Sequence, residues 1–296
     1  VKPGYEIAAL AIVALFVTVR ARAAREERPA VVLARLGVLA VASLLAEGSM
    51  VRLYGFYHYD PGWSLFVDRV PLGIGLIWPV VIHSAWDLAR SLRPGGARGA
   101  VALVGAGIVL GDAALIEPIA VASGLWRWTE PGIFEVPPIG VLGWAYWAGL
   151  CIAVLEHTRA GGAPTPPRLA RSSALLLLVA LPGTHLALLA SWWGALRWLH
   201  GQLPAAGALA VAWCASATLA GLALARGTRR RIPLEHMLLR VPAAAYFFFL
   251  LAAEVRSAPL TAYALAFVPA YLALVDLRAS AGRAVRSGPA RTPPVV

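Results

Sequence analysis

Long apolar runs, cut at near-regular intervals by short polar segments, dominate this chain. They fall near 4–20, 30–49, 69–90, 99–123, 138–157, 173–193, 205–225, 238–254 and 259–277. Each approaches the roughly 20 residues a helix needs to cross bilayer hydrocarbon. The pattern predicts an all-α, polytopic transmembrane helical bundle of about eight to nine spans. Overall, 59% of the residues are hydrophobic and 14% charged, more apolar sequence than a soluble core of this size buries. The first run leads into Arg20-Ala-Arg22 with no basic region before it, so it reads as a span and not as a cleaved leader. The expected organisation is an N-terminal helical half over 1–157, a flexible Pro/Gly loop over 158–172, a C-terminal helical half over 173–277, and a basic flexible tail over 278–296.

Charge changes the picture in one respect. A net charge of +11 taken alone suggests nucleic acid, yet the basic residues sit in alternate loops. Twenty of the 26 Lys and Arg lie within Arg20–Arg35, Arg90–Arg98, Arg159–Arg171, Arg226–Arg240 and Arg278–Arg291. The positive-inside rule then places the N-terminus outside and the C-terminus in the cytoplasm. Attraction to anionic lipid accounts for the clusters, and no nucleic-acid partner is implied. Cys151 and Cys214 both fall within predicted spans, where neither a disulfide framework nor a zinc site is indicated.

Against this background three carboxyls stand out. Glu47 ends the second span, Asp112 lies mid-way along the fourth, and Glu117 follows before Pro118. A carboxylate in hydrocarbon is costly, so one that is present is read by default as a working group. Residues five apart diverge by about 140° on an ideal helix, so Asp112 and Glu117 should not share a face unless Pro118 kinks or ends the helix at Glu117. Capping a broken helix or pairing with Arg127 is the structural alternative for Glu117. Both carboxyl-bearing segments run into aromatic loops and return on Val-Pro. The first holds Tyr54-Gly-Phe-Tyr57-His58-Tyr59-Asp60-Pro-Gly62 and Val70-Pro71, and the second Trp126-Arg-Trp128-Thr-Glu130-Pro-Gly132 and Val136-Pro137. Trp78 and Trp144 each follow the Val-Pro proline by seven positions. These spacings suggest a parallel internal repeat of two helix pairs, with Glu47 and Asp112 as mates.

The same motifs resemble an integral-membrane carotenoid biosynthesis family that contains bisanhydrobacterioruberin-type carotenoid 1,2-hydratases. The likeness covers residues of about 45 to 148. It departs at Met50-Val51-Arg52-Leu53, where the family has Thr-Gly, and near Ile139-Gly140, where the family has Asn. The resemblance implies a cofactor-independent enzyme of a bacterial inner membrane that adds water to the terminal C1=C2 bond of an acyclic carotenoid. Its partners would be a hydrophobic carotenoid or other isoprenoid substrate, membrane lipids and other enzymes of the pathway. In that chemistry a protonated carboxyl protonates the alkene, and water captures the tertiary cation with help from a base. The expected catalytic set is Asp112 as acid with Glu47 or Glu117 holding water, and the roles are interchangeable on sequence grounds. Tyr54, Tyr57, Tyr59, Trp126, Trp128 and Trp144 are expected to grip substrate and steady the cation, and His58 to orient water. For each aromatic, the interfacial anchoring belt is the competing reading.

Two rivals remain open at this level. A membrane carotenoid or terpene cyclase makes the same cation and excludes water. A transporter or lipid-binding protein would use the buried carboxyls for protons or ions. Prenyl transfer is disfavoured by the lack of an Asn-Asp-x-x-Asp box, and di-iron chemistry by the lack of His-x-x-His. Gly105-Ala-Gly107-Ile-Val-Leu-Gly111 lacks the dinucleotide spacing, and its Gly107 and Gly111 are expected to serve close helix packing.

Overall fold

In the computed structural model, residues 2–23, 29–93, 95–159, 166–199, 204–226 and 234–272 are described. Helices carry nearly all of them. In chain order they are α1 (Lys2–Ala23), α2 (Pro29–Leu53), α3 (Leu72–Leu92), α4 (Arg98–Ala122), α5 (Pro138–Arg159), α6 (Pro166–Leu175), α7 (Leu181–Ser191), α8 (Arg197–Leu199), α9 (Ala205–Arg226), α10 (Leu234–Leu250) and α11 (Ala258–Leu265). Among the described residues, seven helical stretches are long and apolar enough to cross a membrane. Seven of the nine expected spans therefore meet that test. The eighth run, α10 prolonged by a π turn at Leu251–Val255, is not among the seven, and the ninth is shorter, with α11 in an apolar helical stretch ending at Leu272.

The sixth span differs from expectation in both length and form. It begins at Pro166, so the described part of the expected 158–172 loop is helical. π-helical turns at Leu176–Ala180 and Trp192–Leu196 interrupt it. The first lies just before Pro182, whose missing N–H removes one bond from the helical ladder. Residues 160–165 and the expected tail over 278–296 lie outside the described residues.

Side chains such as Ile7, Leu33, Val41, Leu103, Leu186 and Val211 stand exposed on the helices, the disposition expected where lipid replaces water. The core runs through α2, α3, α4 and α5, joining Leu39, Trp86, Ile119, Cys151 and Ile152. α4 and α5 share the most extensive packing, and glycine permits it, though not the pair expected. A Cβ on Gly105 would lie 2.4 Å from Ile152 Cδ1, whereas one on Gly107 or Gly111 would meet nothing within 4 Å. Close approach thus belongs to the buried Gly105 stripe, because Gly107 looks away from α5.

Short strands tie the loops of one face together. The loop after α2 contributes β1 (Tyr57–Tyr59) and a small hairpin of β2 (Phe66–Val67) with β3 (Val70–Pro71). The loop after α4 contributes β4 (Trp126–Trp128). β1 and β4 pair antiparallel, with Tyr57 opposite Trp128, His58 opposite Arg127 and Tyr59 opposite Trp126. Flanking bonds extend the ladder symmetrically: Asp60 N–H donates to Leu125 O at 3.2 Å, and Thr129 N–H to Phe56 O at 2.8 Å. Gly55 and Gly124, each two residues before its strand, hold φ of 60° and 69°, a left-handed turn that a side chain would strain. The N-terminal end of α1 joins this face, where Glu6 accepts from Ser64 N–H at 2.7 Å and Tyr5 packs edge-on to Trp63. The opposite face gathers the basic helix ends. There Arg20 meets Asp87 at 3.1 Å, and Arg90 approaches Glu156 at 3.6 Å.

Candidate active site

Glu47 lies six residues before the end of α2 and turns into the bundle beneath the paired strands. Side chains alternate across a strand, so Tyr57 and Tyr59 share one face of β1 and both reach it. Glu47 Oε2 accepts from the Tyr57 and Tyr59 hydroxyls, the latter at 2.9 Å, and Oε1 accepts from Trp78 Nε1 at 2.7 Å. Trp78 comes from the second turn of α3, set there by the Val70-Pro71 entry into that helix. Burial, followed by the nearby Glu47 charge, pushes the Tyr57 and Tyr59 hydroxyls well above the ordinary phenol range. Both phenols therefore keep their protons at neutral pH and remain available as donors.

Glu117 is held by a second cage of the same plan. Its Oε2 accepts from Trp126 Nε1 at 2.8 Å and Trp128 Nε1 at 2.9 Å, and its Oε1 from Trp144 Nε1 at 2.7 Å. Trp126 and Trp128 share one face of β4, and Trp144 sits two turns into α5, as Trp78 sits in α3. α4 does not end at Glu117, as Pro118 had suggested, but continues to Ala122. Glu117 therefore neither caps a broken helix nor pairs with Arg127, which lies exposed on the other face of β4. A buried charge left unpartnered would cost several kcal/mol. Three donors per carboxyl offset part of that penalty.

Both cages open on one apolar cavity. The rings of Trp78 and Trp144 meet at 4.8 Å, as do those of Tyr57 and Trp128. Aromatic rings from both cages thus bridge the two carboxyls, with Ile74, Ile77, Val81 and Leu188 among the rest of the lining. Gly140 lets α5 pass beneath this wall, since a Cβ there would stand 2.6 Å from Trp128 Cζ2. That contact gives a physical role to one position where the chain departs from the resembled pattern.

Not every expected residue belongs here. Asp112 lies outside the cavity and pairs instead with Arg240 and Tyr271. The cause is helical geometry: α4 continues through Pro118, so Asp112 keeps its divergent face. Glu47 and Asp112 therefore do not meet. His58 occupies the middle of β1, on the face opposite Tyr57 and Tyr59, and is exposed, which removes it from the cavity. Tyr54 bonds His185 Nδ1 at 2.7 Å, and His185 Nε2 is 2.9 Å from Ser49 Oγ. Tyr54 thus braces the second half of the chain against the first. Trp78 is the cage member that sequence reasoning placed only as a repeat landmark, although its seven-residue offset from Pro71 matched that of Trp144. Tyr5, from α1, is a further wall that no motif announced. Among the described residues, no group of three or more His, Cys, Asp or Glu side chains could hold a metal ion.

Fold and site together define a polytopic helical membrane protein with two indole- and phenol-held carboxyls, Glu117 buried and Glu47 half-buried, facing one apolar cavity. Residues 2–211 match the model of the carotenoid biosynthesis protein family, and the chain belongs to that family. No curated protein and no solved structure matches it.

Proposed function

We propose that this protein hydrates the terminal C1=C2 bond of an acyclic carotenoid without a cofactor. The observation that carries the reading is the pair of carboxyls, each in a three-donor cage, on one cavity walled by aromatic rings. The cages differ in what they can do with a proton. An indole N–H only donates, whereas a phenol hydroxyl both donates and accepts. A carboxyl proton on Glu117 would find no acceptor among its three tryptophans, but one on Glu47 finds Tyr57 and Tyr59. Glu47 is therefore assigned as the acid and Glu117 as the base.

In this scheme the Glu47 proton goes to C2, and the alkene electron pair forms the new C–H bond, leaving a tertiary cation at C1. Trp78, Trp144 and Tyr57 face that charge with their π-clouds. Water bonds to C1 and gives a proton to Glu117. One water is added, no electrons are exchanged, and proton exchange with solvent restores both carboxyls. General acid–base catalysis of this kind contributes about 10²–10⁴-fold.

The near-symmetry of the strand pair supports an internal repeat with Glu47 and Glu117 as mates, related by an approximate twofold axis between β1 and β4. This assignment replaces the expected pairing of Glu47 with Asp112. The loop face, which carries the N-terminal end of α1, is taken as non-cytoplasmic because the basic helix ends gather opposite it. One observation favours a cyclase as the second reading: every cage donor is already bonded to a carboxyl, and the rest of the lining is largely apolar, so little is left to hold a water. Expression in a lycopene-producing host, followed by mass spectrometry of the pigments, tests both. A gain of one water supports hydration, an unchanged mass at shifted retention supports cyclisation, and unaltered lycopene in cells that accumulate the protein refutes both for that substrate.

A further inference from the structure

A second cavity lies between α1, α3, α4 and α10. Ala8, Ile12, Ala244 and Phe247 make most of it apolar, and its polar centre is Arg240, a residue only 4% exposed. Arg240 Nη1 donates to Asp112 Oδ2, and Asp112 Oδ1 accepts from the Tyr271 hydroxyl at 3.1 Å. Asp112 is thus engaged on both oxygens. Arg240 is not, because its Nε and Nη2 are buried without a hydrogen-bond partner among the described residues. A guanidinium offers five N–H donors in a rigid fork and no acceptor. Idle donors in an apolar site forfeit more free energy than an ordinary hydrogen bond gains.

We propose that this cavity binds a neutral, apolar molecule carrying a hydroxyl or carbonyl oxygen, which accepts from Arg240 Nε and Nη2. Neutrality follows from charge: Asp112 already balances Arg240, so an anion would bring an uncompensated charge to hydrocarbon depth. The oxygen follows from hydrogen-bond capacity, since a pure hydrocarbon leaves both donors idle. Tyr5, Ile77, Val81 and Trp144 wall this cavity and the carboxyl cavity alike. A ligand held here therefore lies one side chain away from the carboxyl pair. The inference stands apart from the hydration reading, because neither Glu47 nor Glu117 takes part in it.

The test is equilibrium binding of two tritiated probes, farnesylacetone and the hydrocarbon farnesene, to the full chain in detergent, corrected for protein-free micelles. The ketone should bind about tenfold tighter or better, the discrimination expected of one buried, charge-assisted hydrogen bond. In Asp112→Leu/Arg240→Met, which removes both charges together so that neither is left unpaired, the two affinities should converge on that of the hydrocarbon. Ala243→Phe fills the cavity while leaving the ion pair in place, and should weaken ketone binding at least tenfold. It decides the matter if the double variant does not accumulate. Equal affinities in the unaltered chain, an oxygen preference that survives the double variant, or undiminished ketone binding by Ala243→Phe would each overturn the proposal. Loss of the preference in Glu47→Gln/Glu117→Gln would do the same, by moving the oxygen to the first cavity.

Discussion

The two carboxyl cages share a scaffold and differ in chemistry. Each is built from a helix, a strand two residues beyond a left-handed glycine, and a tryptophan two turns into the following helix. Two phenols and an indole hold Glu47, and three indoles hold Glu117. One cage can pass a proton through its own donors, whereas the other can only fix a negative charge. Under the proposed hydration, near-identical backbone plans supply unlike halves of an acid–base pair, and the distinction rests on Tyr57 and Tyr59 standing where Trp126 and Trp128 stand in the second unit.

The largest effect should come from the carboxyls themselves. Glu47→Gln and Glu117→Gln preserve volume, yet each should cut product formation by about 10²–10⁴-fold, measured as pigment formed per unit of membrane-inserted protein. Normal turnover by an abundant Glu47→Gln variant would end the acid assignment. Asp112→Asn should act on a different quantity. Breaking a buried ion pair from one side costs about 3–5 kcal/mol, so folded protein should decline in thermal unfolding assays, and Asp112→Leu/Arg240→Met should recover much of the loss. A variant as stable as the parent would show that the Arg240 pair carries no stabilisation.

A sharper division comes from exchanging cage donors. Tyr57→Phe removes a hydroxyl that donates and accepts, whereas Trp128→Phe removes a donor only. Trp128→Phe deletes one hydrogen bond to a charged carboxylate, worth about 1.5–3 kcal/mol, and Tyr57→Phe one to the protonated acid, worth about 0.5–1.5 kcal/mol. The proton-transfer difference should appear as a larger solvent isotope effect on turnover in Tyr57→Phe than in Trp128→Phe. Equal isotope effects would erase the functional contrast between the cages. Alkali provides a milder probe. Because the Tyr57 and Tyr59 hydroxyls lie well above their ordinary values, their contribution to stability is complete below about pH 10 and is lost as pH rises through the folded values. The double variant Tyr57→Phe/Tyr59→Phe should lose that alkaline limb of the thermal-unfolding profile. The smallest effect belongs to the loop face. The Arg52 guanidinium holds Asp68 below the usual carboxylate range, so the pair's contribution is present above about pH 4 and fades as pH falls through the depressed value. Asp68→Asn should differ from the parent only above that window.

Much of this was legible in the chain. Apolar runs located the first seven membrane-length spans, because span length is fixed by hydrocarbon thickness, and the twin aromatic loops marked the side where the site forms. The seven-residue offsets from Pro71 to Trp78 and from Pro137 to Trp144 pointed at equivalent ring positions. What failed did so for geometric reasons. Asp112 looked like the mate of Glu47 by its distance to Val-Pro, but its partner Arg240 comes from a helix that no local pattern connects to it. Glu117 was expected in the catalytic set, and its structural alternative, capping a helix broken at Pro118, fails because the helix absorbed that proline. His58 sits among cage residues in sequence and opposite them in space, a consequence of strand alternation. The π turns in the sixth span left no compositional trace beyond Pro182.

The pairing of β1 with β4 also imposes an order of assembly. Glu47, Tyr57 and Tyr59 emerge from the ribosome early, yet the strand that fixes the two tyrosines arrives only with Trp126–Trp128, after α3 and α4 have been made. The first cage therefore has no stable ceiling until the second loop is in place. Inserting helices must hold α2 and α3 together through their own packing in the interval, and a chain halted before Trp126 leaves Glu47 without the strand that orders its phenols.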